Sequence, residues 1–590
     1  MALPFTRHRK RSSNQSSHKR SGTLRTAKSR QAIGGFFVVA QQQRQTNLAI
    51  KADCRNPFPM SLNRRVFIKQ TGMAGLGLGL VSFTPGCQTA SHSSGSNLPR
   101  STPEAQGVSS ESIQAFIDAI GKSTHELHSL MMLRHGNVIA EGWWAPYGSE
   151  YVHTMYSMSK SFTSTAVGFA VAEGRLTVDD KVISFFPDEL PSKISDNLAK
   201  LKVKHLLTMS VGNLKEPTGV TVSSENWVKT FLSQNLAHEP GTVFLYNSVA
   251  TYMCSAIVQK LTGQKIIDYL RPRLFAPLSV TKATWEECPR GIKTGGWGLS
   301  VQTETLARFG QLYLQKGKWN GKQILPASWV DEATSFHIQQ PAPAKPSRPN
   351  DQNDWLQGYG YQFWRCQKPG VYRGDGAFGQ YTIVMPEQDA VIVMTGESSN
   401  MQGELDLVWE HLYPALKQSS LPANPAAHGK LQQTLSGLRL PLPAGTTPVD
   451  LTQLTGKGYF DLKANSLGFK GGSLTFANNV YTLELFGPVA NQFARGSHSG
   501  WLRHQTALPS PRIIGGGAPK PGTLQKVAGH AEWKDGKTLE LTQRYYETPH
   551  HETITCKFDG KKISISFLSS ISEIRNAKDP RPVLEGVLPA

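Results

Sequence analysis

The spacing of apolar residues changes once along this chain and divides it into two differently built parts. From residue 105 to 418, helical spacing alternates with short apolar strands, whereas from 449 to 590 apolar and polar residues mostly alternate. A Pro- and Ala-rich stretch, 419–448, lies between them and predicts a linker. A length of 590 residues also exceeds what one hydrophobic core usually serves. We therefore predict two folded domains.

The first part has strands near both of its ends and helices between them. Residues 111–122 have helical spacing, and a hairpin of two apolar strands follows. Further helical patterns lead to residues 370–397, which predict adjacent strands joined by a turn. This order predicts an α/β fold in which distant parts of the chain form one sheet, flanked by helices and joined to an all-α lobe.

The second part contains only strand patterns separated by Gly and Asn turns. Stretches such as YTLELFG, KTLELTQRYYE and KKISISFLS alternate apolar with polar residues. One face of each strand would therefore be buried and the other solvated. We predict a small all-β domain over 449–590, either a barrel or a sandwich.

The net charge of +20 is concentrated near the N-terminus. Residues 1–59 contain twelve Lys and Arg against one acid, and three more basic residues follow before residue 70. Residues 88–590 carry only +6, which argues against a nucleic-acid-binding fold. The composition of 1–59 predicts a disordered leader. Because Met60 begins a separate signal, we expect 1–59 to be untranslated; a basic nucleic-acid-binding tail is the alternative.

Residues 60–87 resemble an export signal. Arg64 and Arg65 precede a Gly- and Leu-rich apolar run too short for a membrane-spanning helix, as in twin-arginine signals. The run ends in FTPG before Cys87, which is similar to a lipoprotein cleavage box and predicts lipid on Cys87. A plain cysteine near a cleavage site is the alternative. We expect export to the periplasm or cell envelope, a polar tether over 88–104, and membrane contact only through the lipid.

The six cysteines are far apart and form neither a CxxC pair nor a zinc-type spacing. The chain also lacks a GxSxG nucleophile elbow and the GK[ST] end of a phosphate loop. These patterns predict no disulfide framework, no metal and no cofactor.

Ser157 and Lys160 begin a stretch, SMSKSFTSTAVGFAVA, that is otherwise free of charge. Residues at i and i+3 share one face of a helix. If the helix begins at Ser157, its free N–H groups and positive dipole end lie beside the serine hydroxyl and could stabilise an oxyanion. A lysine kept from water would have a lowered pKa and could accept the serine proton. The alternative is a plain capping serine with a solvent-directed lysine.

Two further elements could complete such a site. Tyr246 lies at a predicted helix start, followed by Ser248, and could relay a proton to a leaving group. The alternative is a turn tyrosine with Ser248 as helix cap. Glycines at 374, 376 and 379 would allow a close approach to a strand, where the Ala377 N–H could be a second oxyanion donor. A plain Gly-rich turn is the alternative.

Taken in this order, the three elements resemble the serine β-lactamase and penicillin-binding-protein-like family, in its class C and esterase-like branch. Flanking stretches such as PGTVFLYNS and GQYTIVMPEQDAVIVMTG are also similar, and the resemblance covers roughly 105–415. It implies a β-lactamase-like antiparallel sheet with helices and an all-α lobe, and an acyl-serine mechanism. Ser157 would be the nucleophile, Lys160 its base and Tyr246 the proton relay. The C-terminal part resembles the lipocalin-like β domains appended to such hydrolases.

Two positions depart from the family pattern. The family's YxN element has Ser248 in place of its asparagine. The family's K/H/W-x-G element reads Gly374-Asp375-Gly376, without the Lys or His that often binds a substrate carboxylate. We expect these residues and Ala377 to contact substrate, and we expect a small neutral ester or amide. A binding or sensor module of the same fold, without turnover, is the alternative function.

Two other polar groups look like motifs and are interpreted as structural. Ser195-Asp196-Asn197 lies in a polar run close after the serine, and we do not expect it to be a site element. His550-His551-Glu552 has no suitably spaced third ligand nearby in the sequence, so we expect a polar group at the start of a strand rather than a metal site.

Overall fold

The structure is a computed structural model that describes residues 98–443, 445, 458–514 and 522–588. The predicted leader, the export signal with Cys87 and most of the tether lie outside the described residues. Within the described ranges, every helix is too short or too polar to cross a bilayer.

Residues 98–443, which we call the α/β region, alternate between helices and strands. Its strands are β1 Leu127–Arg134, β2 Asn137–Trp143, β3 His153–Thr154, β4 Ala283–Trp285, β5 Leu299–Val301, β6 Lys318–Trp319, β7 Lys322–Gln323, β8 Trp364–Arg365, β9 Tyr372–Gly376, β10 Gln380–Met385 and β11 Ala390–Gly396. Its helices are α1 Ser110–Lys122, α2 Ser159–Ala172, α3 Asp196–Lys200, α4 Val203–Leu207, α5 Thr218–Val222, α6 Trp227–Leu232, α7 Ser248–Thr262, α8 Ile266–Leu270, α9 Thr303–Leu314, α10 Ala327–Thr334, α11 Met401–Leu407 and α12 Pro425–Ser436.

The central sheet joins the two ends of the α/β region. Its strand order is β2-β1-β11-β10-β9-β8, and all of these pairings are antiparallel. β1 is buried along its whole length because both faces of the sheet are covered. Met131 and Leu133 belong to the same buried cluster as Phe309 of α9. Met132 belongs to the opposite cluster, with Phe116 of α1. The predicted sheet of distant strands is therefore confirmed.

The all-α lobe is centred on two long buried helices, α2 and α7, which pack against each other. Asn247 caps α7 by accepting hydrogen bonds from the N–H groups of Val249 and Ala250. The helix ends at Gly263, which has a left-handed φ of 69°. The cap and the terminating glycine fix where α7 begins and therefore where the preceding Tyr246 lies.

The stretch predicted as a linker contains a packed helix. Leu431 and Leu435 of α12 are buried in the cluster that covers one face of the central sheet. A side chain at Gly142 of β2 would collide with Leu435 and Leu438, so the helix lies directly on this strand. Part of the stretch therefore belongs to the core of the α/β region, and the domain boundaries themselves stay a prediction.

Residues 458–588 form a closed all-β domain, which we call the β barrel. Its elements are β12 Gly458–Leu462, β13 Gly471–Ala477, β14 Val480–Leu485, β15 Gln492–Ser497, β16 Leu502–Thr506, β17 Gln525–Asp535, β18 Thr538–Arg544, β19 His551–Asp559, β20 Lys562–Ser569, α13 Ser570–Ile574 and β21 Leu584–Val587.

The strands of the β barrel form a ring in the order β15-β14-β13-β12-β21-β20-β19-β18-β17. The ring closes where Ser497 of β15 pairs with His530 of β17, while β16 pairs with the preceding part of β17. Gly529 permits this closure, because a Cβ atom there would lie 1.6 Å from the Arg495 carbonyl oxygen. The predicted all-β domain is confirmed, and its form is a barrel.

Candidate active site

Ser157 lies in a tight turn between β3 and α2. Residues Tyr156–Met158 form a single 3-10 turn, which we call the Ser157 turn, and α2 begins only at Ser159. The prediction that the helix starts at Ser157 was therefore wrong by two residues. Tyr156 has a φ of +46°, in the left-handed region that bulky residues seldom adopt, so a regular helix cannot include it. Such a conformation costs roughly 1–3 kcal/mol, which the surrounding contacts must offset.

Lys160 is buried beside Ser157 and contacts only neutral oxygens at hydrogen-bond distance. Its Nζ lies 3.0 Å from Ser157 Oγ, 3.2 Å from Ser248 Oγ and 2.7 Å from the Gly296 carbonyl oxygen. Its side chain is 1% exposed, and no carboxylate among the described residues forms an ion pair with it. Burial lowers the pKa of Lys160 to about 7, although the charges of Glu216 and Asp375 partly oppose this shift.

These three contacts suit a neutral amine as well as an ammonium. A neutral amine has two N–H donors and one lone pair. The Gly296 carbonyl can only accept, so it takes one N–H. Ser248 Oγ can accept the second, which leaves the lone pair directed at the Ser157 hydroxyl. The geometry therefore fits Lys160 as a base that removes the proton from Ser157.

Tyr246 lies against the same pair of side chains. Its ring centroid is 4.8 Å from Lys160 Nζ, and the ring stacks on Trp364 at 5.6 Å. Burial raises the pKa of Tyr246, and the adjacent Ser157 side chain opposes this only in part. The phenol thus keeps its proton near neutral pH. The structure brings together Ser157, Lys160 and Tyr246, which the sequence predicted as a site.

Ser248 has a different setting from the one expected of a substrate contact. Its hydroxyl contacts Lys160 Nζ, and its backbone N–H donates to Glu216 Oε1 at 3.0 Å. Asn247, not Ser248, caps α7, so the alternative role of Ser248 as helix cap was wrong. Glu216, which sequence reasoning missed, therefore anchors the start of this helix beside the lysine.

The end of β9 is pressed against the Ser157 turn. A Cβ at Gly374 would lie 2.3 Å from the Met158 sulfur, and one at Gly376 would lie 2.2 Å from the Met155 carbonyl oxygen. Ala377 follows directly, in the turn that leads to β10. The glycines are therefore required by a close approach of two backbone segments, and the alternative of a plain turn does not account for it.

Asp375 is closed off from a substrate by its own ion pair. It is 8% exposed, and Oδ2 accepts a hydrogen bond from Arg373 Nε at 3.0 Å. Burial raises its pKa to about 6 against the opposing effect of Arg373. Arg373 is itself fully buried and lies over the Trp355 ring. Both charged groups of this pair are therefore buried, and the Asp375 carboxylate is already engaged by Arg373.

The first of the two polar groups that look like motifs, Ser195-Asp196-Asn197, has contacts that account for its serine and its asparagine. Ser195 caps α3 by accepting from the Leu198 N–H, and Asn197 donates to the Leu236 carbonyl. These contacts agree with their structural interpretation.

The histidine pair His550-His551 lies at the start of β19, whose first residue is His551, and both histidines contact the α/β region. Both rings bond the carboxylate of Glu397, and His551 also lies with Glu126 and Glu397 in a group whose ligand atoms are within 4.8 Å of one another. The prediction considered only ligands close in sequence, and these two acids are more than 150 residues away along the chain. Their carboxylates are already engaged, Glu126 by Arg544 and Glu397 by the two histidines.

Comparison with known proteins identifies the larger part of the α/β region. Residues 123–411 match the family model described as Beta-lactamase. The 6-aminohexanoate-dimer hydrolase of Paenarthrobacter ureafaciens is 26% identical over 287 residues, which are 45% of this chain and 71% of that protein. A Beta-lactamase of Escherichia coli (strain K12) is 23% identical over 314 residues, 45% of this chain and 81% of that protein.

Among solved structures, the octameric penicillin-binding protein homologue from Pyrococcus abyssi aligns with 80% of this chain and 99% of its own, at 13% identity and a TM-score of 0.41. A likeness at this level says nothing about activity. The family model and the sequence relatives carry the assignment. Residues 123–411 of this chain form a domain of the Beta-lactamase family.

Proposed function

We propose that this protein is a serine hydrolase that cleaves a small ester or amide through an acyl intermediate on Ser157. One observation carries the proposal: Lys160 is buried without an ion-pair partner among the described residues, 3.0 Å from the Ser157 hydroxyl. A buried amine of this kind is expensive for stability, and here its nitrogen lies at hydrogen-bond distance from a potential nucleophile.

The reaction would proceed in two halves. Lys160 takes the proton from Ser157 as Oγ attacks the substrate carbonyl, and the resulting oxyanion is held by the backbone N–H groups of Ser157 and Ala377. Tyr246 delivers a proton to the leaving alcohol or amine as the carbonyl–leaving-group bond breaks, and recovers one from Lys160. In the second half a water molecule attacks the acyl-enzyme and gives a proton to Lys160; as the bond from the acyl carbon to Oγ breaks, Lys160 returns this proton to Oγ, which restores Ser157 and releases the carboxylic acid.

The substrate proposed here lacks a free carboxylate next to the scissile bond. The element in which the family often has a carboxylate-binding Lys or His reads Gly374-Asp375-Gly376 here, and its one charged residue, Asp375, is buried in its pair with Arg373. A neutral ester, amide or short oligomer fits this edge better than a β-lactam or a peptide with a terminal carboxylate. The relative named 6-aminohexanoate-dimer hydrolase supports including short linear amides among the substrates tested.

The decisive experiment uses a fluorophosphonate probe and intact-mass detection. Wild-type protein should gain one label, located on Ser157, and Ser157→Ala should gain none. Ser164→Ala is the matched control, because Ser164 is a buried serine of α2, the helix that follows the Ser157 turn, and its loss should leave labelling unchanged. Labelling that persists in Ser157→Ala would refute the assignment.

A panel of p-nitrophenyl esters, amides and β-lactams then separates an enzyme from a binding module of the same fold. An enzyme should hydrolyse at least one member of the panel over many turnovers, with p-nitrophenol released from an ester, and should show the acyl adduct by mass. Retention of a ligand without turnover on any member of the panel would favour the binding module.

Export is a separate proposal that rests on the sequence alone. The pair Arg64-Arg65 and the apolar run before Cys87 favour a twin-arginine signal and attachment of lipid to Cys87, which would place the protein in the periplasm or cell envelope. Intact mass of the native protein tests both points. A mature chain that begins at a lipidated Cys87 is expected, and a product that retains residues 1–50 would contradict export.

A further inference from the structure

His550 of the β barrel contacts both backbone turns that border the proposed oxyanion site. Its Nε2 forms a short hydrogen bond with the Tyr156 hydroxyl, one residue before Ser157. Its ring also lies perpendicular to the Phe378 ring at 4.9 Å, one residue after Ala377. Tyr156 and Phe378 are themselves in ring contact at 5.6 Å. The imidazole of His550 therefore contacts one side chain in each of the two turns.

Both of these turn residues have unusual backbone conformations. Tyr156 has a φ of +46° and Phe378 a φ of +69°, in the region that large side chains seldom adopt. Strained residues of this kind persist only where contacts around them hold them in place. The contacts of their side chains converge on His550, which is completely buried. The unusual backbone conformations of Tyr156 and Phe378 are therefore held, at least through their side chains, by contacts to the same histidine.

The orientation of His550 is fixed by Glu397, the residue that follows β11. Nδ1 of His550 lies 2.6 Å from Glu397 Oε1, and His551 Nδ1 lies 2.9 Å from Oε2. Burial disfavours the ionised form of Glu397, but the two histidine hydrogen bonds outweigh it and hold its pKa below the usual range. The carboxylate thus accepts the Nδ1–H, which leaves Nε2 of His550 to accept the Tyr156 hydroxyl proton.

The segments around His550 also hold the strand that leads into the Ser157 turn. The N–H of Thr154 in β3 donates to the Glu547 carbonyl at 3.0 Å. Arg512 forms an ion pair with Glu286 at 2.6 Å, at the end of the neighbouring β4. The β barrel therefore touches the site at the lead-in strand as well as at the turn itself.

We propose that His550 is a positioning residue for the acyl-transfer reaction: through Tyr156 and Phe378 it sets the turns whose N–H groups, at Ser157 and Ala377, receive the developing oxyanion. This inference rests on the proposed function. It makes the β barrel part of the working enzyme rather than an appendage. A misplaced oxyanion site weakens binding of the transition state more than binding of the substrate.

The test compares wild type, His550→Ala, His550→Gln and Tyr156→Phe in the full chain. We expect kcat and the rate of fluorophosphonate labelling to fall at least about 10-fold in His550→Ala, with KM within about twofold. Affinity for a boronic acid that mimics the tetrahedral intermediate should fall by the same factor. His550→Gln, whose amide can replace one of the two hydrogen bonds, should recover part of the loss. Arg503→Ala, which removes another contact of the β barrel, a 2.9 Å hydrogen bond to the Pro146 carbonyl, is the control and should keep its rate.

Tyr156→Phe keeps the test decisive if His550→Ala does not fold, because it removes only the hydroxyl. It should lower kcat in the same direction, and the double variant should be no slower than the slower single variant. Wild-type labelling rates in both Tyr156→Phe and His550→Ala would overturn the positioning role. An equal loss in Arg503→Ala would also overturn it, since docking in general would then be responsible. Wild-type protein that takes no label at Ser157 would instead refute the proposed function.

Discussion

Two buried cations lie in very different surroundings in this protein. Lys160, at the candidate active site, contacts three neutral oxygens and no carboxylate of the described residues. Arg544 of the β barrel, 9% exposed, forms a two-pronged ion pair with Glu126 at 2.6 and 2.9 Å. The unpaired amine loses affinity for its proton, while the paired guanidinium keeps its charge and joins the two domains. Pairing thus separates the group that we propose acts as a base from the group that joins the two domains.

The choice of side chain agrees with this division. A lysine can release its proton near neutral pH when it is buried, and burial brings the pKa of Lys160 to about 7. Burial also works against the charge of Arg544, but Glu126 more than offsets it and the pKa of Arg544 is raised. An arginine at position 160 could not act as a base, and a lysine at position 544 would lack the planar pair of parallel N–H donors that matches the two oxygens of the acid.

The largest effect expected from this comparison is on catalysis. Lys160→Met removes the base but keeps the volume, so kcat/KM for the best ester should fall about 1000-fold or more. The variant should remain folded, because no buried acid loses an ion-pair partner. Steady-state kinetics with thermal unfolding measures both. Lys200→Met is the control, since that lysine is 58% exposed and pairs only with Glu239 at the surface. If Lys160→Met kept its activity, Lys160 would not be the base, and the contrast between Lys160 and Arg544 would not reflect their functions.

The second effect is on stability. Arg544→Met leaves Glu126 without its guanidinium, and we expect the free energy of unfolding to fall by about 3 kcal/mol. This is at the low end for a broken buried pair because the Glu126 side chain keeps 24% exposure. Denaturant unfolding measures it, with the exposed Arg495→Met as control at about 0.5 kcal/mol or less. If Arg544→Met left stability unchanged but lowered kcat as much as Lys160→Met does, the pair of Arg544 and Glu126 would act in the reaction rather than in holding the two domains together.

The smallest expected effect is the pH dependence of stability that the buried Lys160 causes. The folded pKa of Lys160, about 7, lies below the ordinary value of 10.5, so the unfolded chain binds more protons between these two values. Wild-type stability should therefore rise with pH across this window. The stability gained by Lys160→Met should be largest at pH 6 and smaller by roughly 3 kcal/mol at pH 9.5. Denaturant unfolding of both proteins at each pH measures the difference. A gain that does not vary with pH would mean that Lys160 keeps its ordinary pKa.

Part of the site could be predicted from sequence because it is local. The i, i+3 spacing of Ser157 and Lys160 and the helix start after Tyr246 are short-range patterns, and the structure brings the three side chains together. The Gly296 carbonyl that accepts from Lys160 was missed, since a backbone oxygen has no residue type of its own. The sequence feature that could have indicated this carbonyl is the pair Gly295-Gly296, which allows the backbone to lie against α7. A Cβ at Gly296 would be 2.4 Å from the Ser248 carbonyl oxygen.

The contacts between the two domains could not be predicted in the same way. His550 and Glu397 are 153 residues apart, and Arg544 and Glu126 are 418 apart. Spacing rules apply within one helix or hairpin, so the histidine pair could only be interpreted from its immediate neighbours. The sequence pattern thus predicts the fold of each domain and misses the contacts that join them.

Tyr156 and His550 are 394 residues apart in sequence, so they are synthesised at different times. A ribosome that adds 5–20 residues per second needs roughly 20 to 80 s to travel from one to the other. During that interval the emerging chain already contains Ser157 and Lys160 but lacks the imidazole that we propose sets their turn. On this view a nascent or truncated chain that lacks His550 is acylated more slowly, and the full rate is reached only after synthesis has passed this residue.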